Sequence, residues 1–211
     1  MIKKSIKRIV NSASKLFTEY GYSKVTMDEI AAKAGVTKKT IYNNFSSKED
    51  LIHYVVQEKT NIIVGGLEEI AYSTEITFLE KLEKIISFLF LEFNVKNKNL
   101  IEEYHNLAAP TPQEKMIPQI REAIIKLSGE LLDEGIALGV IRENIPKQVV
   151  SYLFITLVDG LQRLYKDTMP PFTPGQFLVD SIWITGTGIF TPRGREIFRK
   201  RTAQEHEKEE I

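Results

Sequence analysis

Six consecutive residues, Lys38-Lys39-Thr40-Ile41-Tyr42-Asn43, gather most of the side chains here that could recognise a specific partner. A lysine ammonium donates to guanine O6 and N7, and an asparagine amide pairs with adenine N6 and N7. Threonine and tyrosine hydroxyls suit phosphate oxygens, and a tyrosine ring can meet a thymine methyl group. Ile41 is the apolar member, the one that turns inward if the six form a short helix. The other five would then lie outward, which is chemistry for reading a DNA duplex and not for making or breaking bonds.

The flanking residues frame such a helix. Thr26-Met27-Asp28-Glu29 has the capping-box form, in which the threonine hydroxyl accepts from the backbone of Glu29 and the Glu29 carboxylate reaches back. The helix it starts buries Ile30 and Ala34, with small Ala31 where two helices nearly touch. Gly35 follows, the residue that takes a left-handed turn without steric cost. Thr37 caps the second helix, and Phe45 closes the unit. Ser46-Ser47-Lys48-Glu49 repeats the capping-box form and is expected to start a third helix. This is helix-turn-helix geometry, which lays the second helix in the major groove. Helix N-termini at Thr26, Thr37 and Ser46 offer free N–H groups to phosphates. Lys48 stands in a first helical turn, where a cation is unfavourable unless an anion joins it.

Composition fits this reading. The chain has 211 residues, 43% hydrophobic and 27% charged, which is ordinary for a globular protein with a real core. It has no cysteine, so disulfides and thiolate sites are excluded. The net charge of zero hides an asymmetry: residues 1–59 hold 11 Lys and Arg against 6 Asp and Glu, and the rest 17 against 22. A positive first part suits a polyanion. The start MIKKSIKRIV is basic but lacks a following apolar run, so it is not read as a signal peptide, and no stretch is long enough to span a membrane. The expected localisation is cytoplasmic.

Apolar spacing of 3 and 4 predicts helices almost throughout, so the fold class is all-α. Stripes run through Ile6–Phe17, Leu51–Val56, Leu79–Phe93, 98–108, Ile117–Leu138, Val149–Leu164 and Phe177–Phe190, and a polar helix is possible after Pro192. Gly65-Gly66, Pro110-Thr111-Pro112 and Pro170-Pro171 read as breakers between stripes. The expected domains are a helix-turn-helix head over 1–46 and a helical domain over 47–211, sharing a helix that begins after Phe45 and runs past residue 60. Residues 60–211 contain no nucleophile elbow, P-loop, glycine-rich dinucleotide turn or paired metal ligands, which argues against an enzyme with an appended DNA head. His53, His105 and His206 are scattered, so neither a metal nor another cofactor is expected.

Residues 6–56 resemble the DNA-binding domain of TetR-family (tetracycline-repressor-like) transcriptional regulators. The resemblance is carried by Ala13, Leu16-Phe17, Gly21-Tyr22, Thr26, Glu29-Ile30-Ala31, Ala34-Gly35-Val36, Ile41-Tyr42, Phe45, Lys48-Glu49 and Leu51, with Asn44 a mild departure. It implies a homodimer on a palindromic operator, repression, and a C-terminal helical domain holding both the dimer interface and a small-molecule pocket. It places Thr26, Thr37, Tyr42 and Lys48 on phosphates and Lys38, Lys39, Thr40 and Asn43 nearest the bases.

The pairing surface is expected on 146–166 and 175–190, where Gly186 and Gly188 permit close approach. A buried helix within one subunit is the competing reading of the apolar second segment. Arg193, Arg195, Arg199, Lys200 and Arg201 suggest a solvated extra helix. For the effector, Phe88, Tyr104, His105, Tyr152 and Trp183 are the candidate contacts, and the aromatic load favours a lipophilic or planar molecule. Aromatic stripes at helical spacing also build ordinary cores.

Overall fold

The computed structural model describes residues 2–92, 113–167 and 188–209, with 171, 172, 177, 180, 181 and 184–186 between the last two. It is all-α. The helices are α1 (Ile2–Tyr20), α2 (Met27–Ala34), α3 (Lys38–Tyr42), α4 (Lys48–Ala71), α5 (Phe78–Phe90), α6 (Gln113–Ala137), α7 (Lys147–Asp167) and α8 (Pro192–Glu209). The predicted helix over 98–108 lies outside the described residues, as do seven of the sixteen residues of 175–190.

Two compact units divide the chain, one built on residues up to Gly65 and the other on Gly66–Phe90 and Arg121 onward. In the first, α1 buries Ile9, Val10, Ala13, Leu16 and Phe17, one stripe at helical spacing. It stops at Gly21, whose φ of 86° is left-handed and whose N–H donates to the Phe17 carbonyl at 3.0 Å. Ile30, Ile41, Leu51, Ile52 and Val55 are fully buried and complete this small core.

Two local expectations need correction. The cap of α4 is Ser47, not Ser46: the Ser47 hydroxyl accepts from Asp50 N–H at 3.1 Å, and the Asp50 carboxylate takes the Ser46 N–H at 2.7 Å. The frame is shifted by one because α4 begins at Lys48, which makes Asp50 its third residue. Gly65-Gly66 does not break a helix either, since both lie inside α4. A Cβ on Gly66 would stand 2.4 Å from the Phe88 ring, so this glycine makes room for α5.

In the second unit, α5 opens with its own capping box. Thr77 N–H donates to the Glu80 carboxylate at 2.8 Å and the Thr77 hydroxyl accepts from Glu80 N–H at 3.4 Å. α5 and α6 are joined by Lys81, whose ammonium lies 3.0 and 2.8 Å from the two Glu134 carboxylate oxygens. The turn after α6 uses Gly139 at φ 67°. Beyond it, Arg142 N–H donates to the Ile189 carbonyl and Thr191 N–H to the Val140 carbonyl, both at 2.9 Å. These bonds fasten the start of α8, where Phe198 packs on Phe190. Among the described residues, no helix is long and apolar enough to cross a membrane.

Candidate nucleic-acid interface

The head is held rigid by its caps. The Thr26 N–H donates to the Glu29 carboxylate at 2.7 Å, its hydroxyl donates to the same oxygen at 2.8 Å, and Glu29 N–H returns to the hydroxyl at 3.3 Å. The Thr26 backbone N–H first, and its hydroxyl second, hold the Glu29 carboxyl below its ordinary value, with Lys48 adding to the effect. At the far end of α2, Gly35 adopts φ 61°, ψ 45°. Its N–H reaches the Ala32 carbonyl at 3.2 Å, and Val36 N–H reaches the Ala31 carbonyl at 3.0 Å. The Arg8 guanidinium, from α1, donates to the carbonyls of Ala34 and Gly35. A cation thus closes the negative end of α2, and the turn that aims α3 is tied to α1.

On α3, Ile41 is wholly buried and every neighbour chosen from the sequence lies outward or half-outward. The Thr37 hydroxyl caps the helix, accepting from Thr40 N–H at 3.1 Å, and shares a 2.8 Å hydrogen bond with the Thr40 hydroxyl. Tyr42 is 47% exposed. Asn43 is the exposed C-cap, at φ −71°, ψ −16°. Asn44 turns back, its amide donating to the Thr40 carbonyl at 2.7 Å. Lys38 is 2.8 Å from Asp28, an exposed pair that raises the lysine pKa through its hydrogen bond and charge. Nothing in the local sequence marks Asp28, an acidic residue of the first turn of α2, as the partner of Lys38.

At the start of α4, the Lys48 ammonium stands 4.2 Å from the centroid of the Tyr22 ring. The Tyr22 hydroxyl donates to Glu49 at 3.0 Å. Burial, and then the Glu49 carboxylate, push the Tyr22 pKa upward. Glu49 is held low by its own backbone N–H first, then by the Ser47 and Tyr22 hydroxyls. Thr26, Thr37, Lys38, Lys39, Thr40, Tyr42, Asn43 and Lys48 therefore all sit on α2, α3, α4 or their caps, within one small unit.

The second unit contains a cavity of about 160 Å³. Phe78, Leu82, Ile86, Leu127, Leu131, Phe154 and Phe190 are among its walls, and among the described residues no charged side chain lines it. Its side-chain polar atoms belong to Ser128, Ser151 and Thr185, whose hydroxyls donate to the carbonyls of Ile125, Lys147 and Ser181 on their own helices. Of the five aromatic or histidine candidates, the two that lie among the described residues, Phe88 and Tyr152, are not among its described walls. Phe88 lies against Gly66, and Tyr152 is 59% exposed. Tyr104, His105 and Trp183 lie outside the described residues. The described lining comes from α4, α5, α6 and α7 together with Ile141, Thr185, Ile189 and Phe190, which no local spacing pattern links. Val149, Tyr152 and Leu153 form an exposed apolar strip on α7, Leu153 also lining the cavity, with Ile184 exposed further along.

Two helices meeting at a left-handed glycine, with a polar, lysine-bearing second helix, define a helix-turn-helix DNA-binding protein. A model of the bacterial regulatory proteins of the tetR family matches residues 9–55. The "Fatty acid metabolism regulator protein" of Bacillus subtilis (strain 168) is 28% identical over 161 residues, covering 72% of this chain and 78% of that protein. An HTH-type transcriptional regulator of Staphylococcus aureus (strain USA300) is 31% identical over 100 residues, 47% of this chain and 53% of that one, so the match spans about half of each. Among solved structures, SmeT, the repressor of the Stenotrophomonas maltophilia multidrug efflux pump SmeDEF, superposes with a TM-score of 0.65 at 16% identity over 89% of this chain and 91% of that one. A transcriptional regulator from Saccharomonospora viridis in complex with choline gives 0.72 at 17% identity, over 90% and 99%. Residues 9–55 are a DNA-binding domain of the TetR family, whose members are typically repressors and are not enzymes, and the protein is a DNA-binding transcriptional regulator.

Proposed function

We propose that the protein is a repressor that occupies a palindromic operator as a homodimer and leaves it when a lipophilic effector fills the cavity of its second unit. Thr26, Thr37, Tyr42 and Lys48 hold backbone phosphates, while Lys38, Lys39, Thr40 and Asn43 face the bases. The observation that carries this reading is the division of α3: Ile41 has no exposed surface, and Lys38, Lys39, Tyr42 and Asn43 all lie outward. The part of the effector that enters the cavity is an uncharged ring or chain, because an ion entering a described wall without counter-charge is strongly disfavoured. A cavity of about 160 Å³ is the size that receives a single ring or a short stretch of chain. The Bacillus relative's name points to fatty acid metabolism, and the tail of an acyl chain has the required chemistry. Release follows if the effector binds the DNA-incompetent arrangement better than the competent one.

The test is selection of a preferred duplex from a random pool, followed by titration of variants on it. Tyr42→Ala and Lys48→Ala should weaken binding to all duplexes alike, and Asn43→Ala should relax base preference at one position in each half-site. If all three bind the selected duplex as the parent does, the assigned roles are wrong. Saturated fatty acids of increasing length serve as effector probes. Displacement of the duplex by one of them, abolished when Ser128→Phe fills the cavity, is the expected outcome. Displacement that persists in Ser128→Phe would place the effector elsewhere.

A further inference from the structure

Reading Lys48 as a phosphate anchor leaves the ring beneath it unexplained. Tyr22 is buried and its orientation is fixed from three sides. Phe17 packs at 5.5 Å with its ring tilted by 55°, the hydroxyl donates to Glu49, and the left-handed Gly21 turns the chain immediately before it. The π face of that fixed ring meets the Lys48 ammonium at 4.2 Å. The placement answers a physical difficulty. A lysine in the first turn of α4 meets the positive end of the helix, and its four-carbon stem has many rotamers to lose on meeting a phosphate. The negative face of the tyrosine offsets the first effect and restricts the second before DNA arrives.

We propose that Tyr22 is a positioning residue for DNA binding, its ring holding the Lys48 ammonium in place to receive a backbone phosphate. This rests on the reading of Lys48 as a phosphate anchor. The Tyr22 ring is buried within the head, so its effect on DNA binding should run through Lys48.

The experiment titrates a labelled duplex of arbitrary sequence, about 30 base pairs long, with the full chain between about 50 and 200 mM NaCl. Tyr22→Leu should weaken binding about 3- to 10-fold and flatten the salt dependence. Lys48→Met should weaken binding further and lower the slope by about one counterion per head. The double variant should bind no more weakly than Lys48→Met, and Tyr22→Phe, which keeps the ring, should bind as the parent does. Because Tyr22→Leu disturbs a core position, a ring-fluorinated phenylalanine at position 22 provides the fold-preserving comparison. It keeps the shape, removes the negative face and should bind like Tyr22→Leu. Parent-like binding by the fluorinated variant overturns the positioning role, as does an equal loss from Tyr22→Leu with and without Lys48. If Lys48→Met alone leaves affinity and slope unchanged, the phosphate reading of Lys48 fails, and the positioning role fails with it.

Discussion

Asp28 and Lys38 show how single residues on the reading face oppose one another. The pair is 2.8 Å apart and both side chains are largely exposed, so it contributes little to stability. Its larger consequence lies in binding: under the proposed base-facing role Lys38 must leave the carboxylate to meet the duplex, and that carboxylate repels phosphates. Asp28→Asn is therefore expected to tighten binding to arbitrary duplexes several-fold at low salt, with an unfolding midpoint close to the parent's. Titration and urea unfolding of the same samples check both halves. Glu29 gives a second residue-scale prediction. Its folded pKa lies below the ordinary 4.5 because Thr26 donates to the charged carboxylate. The capping box therefore stabilises the head above pH 4.5, and that contribution disappears as pH falls through the lower, folded value. Glu29→Gln should unfold in acid with a shallower pH dependence below 4.5 than the parent, measured by circular dichroism at fixed urea. At this scale the sequence was highly legible, since T-x-x-E and A-G-V are local patterns. The ion pair was not, because it joins positions ten apart across a turn.

At the scale of elements, α4 shows where spacing misleads. Two adjacent glycines usually mark a chain reversal, yet Gly65 and Gly66 sit within a 24-residue helix. Helical glycine is disfavoured by about 1 kcal/mol relative to alanine, so each position needs its own account. A Cβ at Gly66 would meet the Phe88 ring at 2.4 Å, whereas one at Gly65 would meet nothing within 4 Å. Gly66→Ala is accordingly expected to destabilise the fold by about 1–3 kcal/mol through overpacking. Gly65→Ala should stabilise it by up to about 1 kcal/mol. Opposite shifts in urea midpoint from neighbouring identical substitutions would establish the difference, and equal shifts would refute it. The stripes of α1, α5 and α6 were legible because periodicity needs only local sequence. The reason for Gly66 was not, because Phe88 lies on the next helix and only the fold brings them together. The one-residue shift of the α4 cap has the same origin: Ser46 and Ser47 are equivalent by type, and backbone geometry chooses between them.

For the whole molecule, the deciding feature is the α7 strip. Val149, Tyr152 and Leu153 recur at helical spacing and are 54%, 59% and 50% exposed, with Ile184 at 70%. Sequence alone left two readings of the neighbouring apolar segment, core or pairing surface, and periodicity could not separate them. The apolar residues lying outward on α7 favour pairing, since a contiguous exposed apolar strip marks an interaction surface. The same placement keeps Tyr152 out of the described cavity wall and, under the proposed pairing, would make it a contact between copies. A homodimer would use this strip twice, each copy covering the other's. Val149→Glu combined with Tyr152→Glu should then give a monomer in sedimentation equilibrium at micromolar concentration, with helix content unchanged. Binding to the selected palindrome should fall by more than about tenfold, because a single head makes too few contacts for specific affinity. Binding to a half-site by the parent and the variant should differ far less. A variant that remains a dimer places the pairing surface elsewhere, and a monomer that holds the palindrome as tightly as the parent removes the need for pairing in recognition.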